Sequence, residues 1–141
     1  MNKETSGFEA LRQHEEAYHG LLKQWQHAKS CIVASIDYAG VHDYRLLHKG
    51  GDEHDIRFNL FGAHCYVAFG HDLEKGWLEY GAVQGPVNDE RYIPVKTLEF
   101  GPEGDLAAGC NLSNYAEFEP LHVRVLAEHA PELIRAYFTR E

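Results

Sequence analysis

Ten histidines are the residues of this 141-residue chain that most directly suggest chemistry. Histidine and carboxylate side chains hold zinc or iron through three or four converging ligands, which usually include a tight spacing such as HxH or HExxH. The densest group mixes histidines with aspartates and comprises His42, Asp43, His48, Asp52, His54, Asp55, His64, His71 and Asp72. Neither spacing occurs in it, so the sequence predicts no metal and no other cofactor.

The three cysteines, Cys31, Cys65 and Cys110, are the candidates for a nucleophile or a disulfide. Their odd number and wide spacing indicate neither a disulfide framework nor a CxxC zinc site. His64 and Cys65 are neighbours on a predicted strand, so their side chains point to opposite faces and cannot pair directly. Cys65 is therefore predicted to be a buried, inert thiol, and Cys110 is predicted to be the more exposed one.

Paired carboxylates are the next candidates, because two of them can serve as general acid and general base. Asp37, Glu79 and Glu99 each fall in or beside a predicted strand, where acidic residues are usually solvated or protect a sheet edge. The phosphate-binding patterns GxxxxGK[ST] and GxGxxG and the nucleophile pattern GxSxG are absent. The sequence therefore favours a binding protein over an enzyme.

The formal net charge of −9 is the strongest functional observation in the sequence. Residues 71–110 carry eight acidic residues against three basic ones, so more than half of the net charge lies in this segment. A non-specific nucleic-acid binder needs a cationic surface, and this composition disfavours that class. A basic protein partner is compatible with it, because opposite charges steer association.

Residues 6–28 have the clearest helical pattern in the chain. Ser6 and Glu9 have the spacing of a capping box, which marks the start of a helix. The apolar residues that recur at helical spacing are Phe8, Leu11, Tyr18, Leu21, Leu22 and Trp25. The pattern predicts an amphipathic N-terminal helix with one face toward a core.

Alternating apolar residues, many of them aromatic or β-branched, predict a sheet after this helix. The predicted strands are Ser30–Tyr38, Asp43–His48, Asp55–Phe61, Ala63–Phe69, Trp77–Val83 and Arg91–Phe100. Short turns separate the strands between Asp55 and Val83, which is typical of an antiparallel meander. Pro94 cannot donate a ladder hydrogen bond, so the last strand is expected at an edge.

Two helices are predicted after the sheet. Asn114 and Glu117 resemble a capped first turn, Pro120 suits the first position of a helix, and Pro131 is expected to end that helix and open another. The predicted fold is a single α+β domain over residues 1–141, in which an antiparallel meander of five to six strands is packed by an N-terminal helix and two C-terminal helices. Without an apolar membrane run or a signal peptide, a cytoplasmic location is expected.

The acidic segment 72–105 also carries aromatic residues, and this combination suits an interface in which aromatic side chains anchor a basic protein and carboxylates steer it. The expected partner-binding residues are Asp72, Glu74, Trp77, Glu79, Asp89, Glu90, Tyr92 and Glu99. The sequence favours a small acidic protein-interaction module that neutralises or chaperones a basic partner, as immunity proteins and secretion chaperones do. A homodimer through a sheet edge or a helix face is compatible with this function.

The alternative is a small-ligand-binding protein or an enzyme with a pocket between the sheet and the helices. The polar groups expected in that pocket are His64, Tyr66 and Tyr80, with Glu79 beside them. A deep cavity lined by these groups would favour the alternative. A solid core with an exposed acidic surface would favour the interaction module.

Overall fold

The computed structural model describes residues 3–48, 54–86 and 88–139. In chain order the elements are α1 (Lys3–Tyr38), β1 (Tyr44–His48), β2 (Asp55–Leu60), β3 (Ala63–His71), β4 (Gly76–Gln84), β5 (Arg91–Phe100) and α2 (Tyr115–Phe138). The strands form one antiparallel sheet in the order β1-β2-β3-β4-β5. The predicted α+β class and meander are confirmed, but this part of the chain has two helices rather than three.

The pleat divides the side chains of the sheet between two faces. In β2, half-buried and buried residues alternate, which is the period of a strand with one face against a core. The inner face carries the buried side chains Ile56, Phe58, Leu60, Cys65, Val67, Phe69, Leu78 and Tyr80, all of which belong to the core cluster. The outer face carries the residues between them, among which are Arg57, Tyr66, Trp77 and Glu79.

Both helices pack on the inner face. α1 contacts β1 and β3, whereas α2 contacts β3, β4 and β5. Trp25 of α1 is fully buried and stacks on Phe69, with ring centroids 5.9 Å apart. Burial of such aromatic and aliphatic side chains is the main stabilising contribution to the fold. The core contacts of both helices lie on the inner face, and the C-terminal end of α2, at Tyr137 and Phe138, shares a groove with His64 at the rim of the outer face.

The predicted strand Ser30–Tyr38 is wrong, because these residues are the last turns of α1. Cys31, Ile32 and Ser35 are buried at helical spacing. A short apolar run without alternation fits a buried helix as well as a buried strand, and length decides between them. Here nothing breaks the helix before Gly40, whose φ of +66° ends the segment.

The two predicted C-terminal helices are also wrong, since α2 is one continuous helix from Tyr115 to Phe138. Pro120 and Pro131 lie inside it, and both are exposed. A proline removes the hydrogen bond to the carbonyl four residues earlier. Those carbonyls belong to Ala116 and Ala127, which are exposed, so water can reach them. The predicted N-cap Asn114 is confirmed, because its side chain accepts from the backbone N–H of Ala116.

The start and the first turns of α1 differ from the prediction. The helix begins at Lys3, so the predicted capping box does not mark its N-terminus. Phe8 and Leu11 are 61% and 64% exposed, whereas Leu21 and Trp25 are fully buried. The first turns therefore extend past the core that the second half covers. Within the described residues, neither helix is long and apolar enough to cross a membrane.

β5 is an edge strand, as the proline predicts. Pro94 lies opposite Gly81, next to a register shift between Tyr80 and Gly81. Proline is tolerated at sheet edges and at bulges because neither position requires its missing N–H. The opposite edge of the sheet is β1.

Candidate functional site

The outer face of the sheet brings together most of the residues predicted from the sequence to bind a partner or a ligand. Trp77 and Glu79 point outward from β4, with Glu99 and Thr97 of β5 as their direct neighbours. On the other side of Glu79 lies Ala68 of β3. His64 and Tyr66 from β3, and Tyr92 from β5, complete this surface.

Two aromatic rings of the outer face lie on glycines of the adjacent strand. A Cβ atom on Gly81 would be 2.7 Å from a ring carbon of Tyr66, and one on Gly70 would be 2.5 Å from a ring carbon of Trp77. Glycine in a strand interior is unfavourable by itself and often marks a close approach of another group. Both rings are therefore placed by the glycine opposite them.

Arg57 is held by two carboxylates on the same face. Its guanidinium contacts Asp55 at 3.1 Å and Glu90 at 2.8 Å, and it donates to the Tyr92 hydroxyl. The Tyr92 hydroxyl donates to Glu90 at 2.9 Å. This hydrogen bond, aided by the guanidinium, holds the pKa of Glu90 below its usual value. The positive charge of Arg57 is thus matched within the chain.

Glu79 has a different environment. The Tyr66 hydroxyl donates to its Oε2 atom at 2.6 Å. Burial, followed by the hydrogen bond and the charge of Glu79, raises the pKa of Tyr66. Among the described residues no basic side chain forms an ion pair with Glu79, and its Oε1 atom has no hydrogen-bond donor. Its negative charge is therefore oriented but not neutralised.

The other predicted partner-binding residues lie at the two ends of β4. Asp72 accepts from the backbone N–H groups of Glu74 and Lys75 at 3.0 and 2.9 Å, and these bonds lower its pKa. Asp72 thus fixes the β3–β4 turn in addition to carrying a charge, while Glu74 is exposed beside it. Asp89 is exposed in the β4–β5 loop.

Tyr80 is separated from the other residues of the predicted pocket. It is fully buried on the inner face, where its hydroxyl lies 2.7 Å from His122 Nδ1. The His122 Nε2 atom lies 3.2 Å from the Tyr44 hydroxyl, which in turn lies 3.4 Å from the Ser35 hydroxyl. His64 and Tyr66 point to the opposite side of the sheet, so the three groups do not line a common pocket.

His122 is the polar residue of the core that sequence reasoning missed. Burial lowers its pKa to about 3, so it is neutral at ordinary pH. The available signal was its position on α2 between the buried Leu121 and Val125. Arg57 was missed as well, although strand alternation places it on the same face as Tyr66, its direct neighbour across β2 and β3.

The histidines, aspartates and cysteines considered for chemistry are dispersed. Among the residues described by the structure, no three His, Cys, Asp or Glu side chains are grouped to hold a metal. Asp52 lies outside those residues. Cys65 is fully buried, as predicted, and its burial raises the thiol pKa to about 12. Cys110 is partly buried.

No protein-family model, curated protein or solved structure gives a significant match to this chain. The outer face offers a mostly acidic and aromatic surface, on which Tyr66 orients Glu79 and no ion pair among the described residues neutralises it. This arrangement is suited to binding a cationic surface.

Proposed function

We propose that this protein is an acidic protein-interaction module that binds a basic protein through the outer face of its sheet. The observation that carries the proposal is Glu79, which forms no ion pair among the described residues and lies on the sheet face opposite the hydrophobic core. Tyr92 is 49% exposed on the same face and supplies an aromatic anchor. The net charge of −9 adds long-range attraction for a basic partner.

The functional type is that of an immunity protein or a secretion chaperone, in which a small acidic protein masks a basic one. A reducing compartment such as the cytoplasm belongs to the proposal. The three unpaired cysteines support it, because disulfides form and persist in oxidising compartments.

Affinity capture with two double charge reversals tests the proposal. The first variant carries Glu79→Lys and Glu99→Lys on the outer face. The second carries Glu128→Lys and Glu132→Lys on the exposed side of α2, and it changes the net charge by the same amount. Glu90 is left unchanged because its carboxylate holds Arg57.

We expect the wild type and the α2 variant to retain a basic protein from the native cell extract. Added salt should weaken this binding. The outer-face variant should retain at least tenfold less of this protein. Equal retention by both variants, or no salt-sensitive basic protein at all, contradicts the proposal. Light scattering on the same samples tests the homodimer, which predicts twice the monomer mass of 16.0 kDa.

A further inference from the structure

The surroundings of Glu79 define a small site on the outer face. Glu79 lies between Ala68 and Thr97, which both have short side chains. Trp77 precedes Glu79 by two residues on the same face of β4. Tyr66 contacts Glu79 from β3. We refer to Glu79, Tyr66 and Trp77 as the Glu79 site.

The Tyr66 hydroxyl fixes the direction of the carboxylate. It occupies Oε2 and leaves Oε1 without a donor among the described residues. Tyr66 is 1% exposed, and its ring lies edge-on to Tyr92 with centroids 5.2 Å apart, so it is held in place and does not itself contact solvent. A part-buried carboxylate with one fixed oxygen and one open oxygen is preorganised to accept a charged donor.

Two cations of the outer face are already matched by acids. Arg57 is bound by Asp55 and Glu90, and Lys75 lies 3.2 Å from Glu99. Among the described residues Glu79, unlike Asp55, Glu90 and Glu99, forms no ion pair, so its negative charge is open to a cation of a partner. Trp77 is half-buried beside it, and an indole is the aromatic ring that attracts a cation most strongly.

We infer that the Glu79 site accepts one lysine or arginine side chain of the partner, an inference that rests on the proposed binding of a basic protein. The aliphatic stem of that side chain lies along Trp77, and its charged end donates to Glu79 Oε1. A single cation bound at this part-buried carboxylate concentrates the binding energy in one contact, which the surrounding contacts shield from water. Neutral side chains can donate a hydrogen bond but bring no positive charge, and anionic side chains are repelled, so both should bind more weakly.

A titration of the full chain with short peptides tests this inference. The probes are blocked pentapeptides of glycine with a central lysine, arginine or glutamine. The readout is the NMR signal of the Trp77 indole N–H, and the indole of the fully buried Trp25 is the internal reference. The protein variants are Glu79→Gln, which keeps an oxygen for the Tyr66 hydroxyl, and Glu99→Gln as the matched control.

Lysine and arginine peptides should shift the Trp77 signal saturably while the Trp25 signal stays in place. Glu79→Gln should weaken this binding by tenfold or more, and Glu99→Gln should change it by less than twofold. Equal shifts with the glutamine peptide, no saturable shift, or equal affinity of wild type and Glu79→Gln overturns the inference.

The two proposals fail separately. A basic protein that is captured through the outer face without any lysine or arginine peptide binding at Glu79 overturns the site and leaves the proposed function standing. Peptide binding at Glu79 without a captured basic protein overturns the proposed function and leaves a cation site in need of another ligand.

Discussion

Two tyrosines on neighbouring strands show how differently the sheet uses its faces. Tyr80 points inward, where its hydroxyl meets the neutral His122 in a fully buried environment. Tyr66 points outward, where its hydroxyl meets the part-buried carboxylate of Glu79. The inner hydrogen bond closes a network within the chain, whereas the outer one orients a carboxylate that has an oxygen to spare. The inner face stabilises the fold, and the outer face is the surface that we propose binds a partner.

The same contrast holds for the rings that lie on glycines. Phe100 lies on Gly76 on the inner face and is 2% exposed. Trp77 lies on Gly70 on the outer face and is half-buried. The two pairs share their geometry but differ in how freely the ring can move. Changes on the inner face should therefore cost stability, and equivalent changes on the outer face should cost little.

Lowering the pH should have the largest effect on the free energy of unfolding, because it acts on the buried hydrogen bonds of His122 on the inner face. The folded-state pKa of His122 is about 3, below its ordinary value of 6.5, so the unfolded chain binds more protons between these two pH values. The stabilisation is complete above pH 6.5 and is lost as the pH falls toward 3. From this group alone, the free energy of unfolding should fall by about 2 kcal/mol between pH 7 and 5 and by about 4 kcal/mol between pH 7 and 3.5.

Urea denaturation at a series of pH values measures how steeply the free energy of unfolding depends on pH. The control is His122→Gln, which cannot be protonated and keeps polar groups near Tyr44 and Tyr80. Its unfolding free energy should change less over the same pH range. Identical slopes for the two proteins would show that the buried histidine does not set the acid sensitivity, and the inner face would lose its assigned role.

Substitution of Gly76 or Gly70 by alanine should give the next largest difference between the two faces in the free energy of unfolding. A Cβ on Gly76 would be 2.6 Å from a ring carbon of the buried Phe100, which has no space to move. Gly76→Ala should therefore destabilise the protein by about 2–3 kcal/mol, as overpacking does. Gly70→Ala meets the movable Trp77 and should cost no more than about 1 kcal/mol. Equal losses of unfolding free energy in urea would contradict the comparison of the faces.

The sequence predicted the sheet better than the helices, for physical reasons. Alternation is local, so it placed Trp77 and Glu79 on one face and located the strands from Asp55 to Phe100. The segment Ser30–Tyr38 has no alternation, and its state depends on packing against a sheet that is distant in sequence. Hydrophobic pattern alone could not decide it.

The polar network of the core could not be predicted from local patterns. Tyr44 and Tyr80 are 78 and 42 positions from His122, and their meeting depends on how α2 lies across the sheet. The outer site was partly predictable, because Tyr66, Trp77 and Glu79 lie on adjacent predicted strands. Their exact neighbours required the register, which sets Glu79 between Ala68 and Thr97.

Removing the hydroxyl of Tyr80 or of Tyr66 should have the smallest effect on the free energy of unfolding. These two changes compare the inner and outer faces most directly. Tyr80→Phe leaves the buried His122 Nδ1 atom without its partner, and an unsatisfied buried polar group costs about 1–3 kcal/mol. Tyr66→Phe removes a donor from Glu79, but water can replace it at a half-buried carboxylate, so the cost should stay below about 1 kcal/mol. Paired urea denaturation curves measure both values. If Tyr66→Phe is the more destabilising change, the outer hydrogen bond holds the fold, and the orientation of Glu79 needs no ligand to explain it.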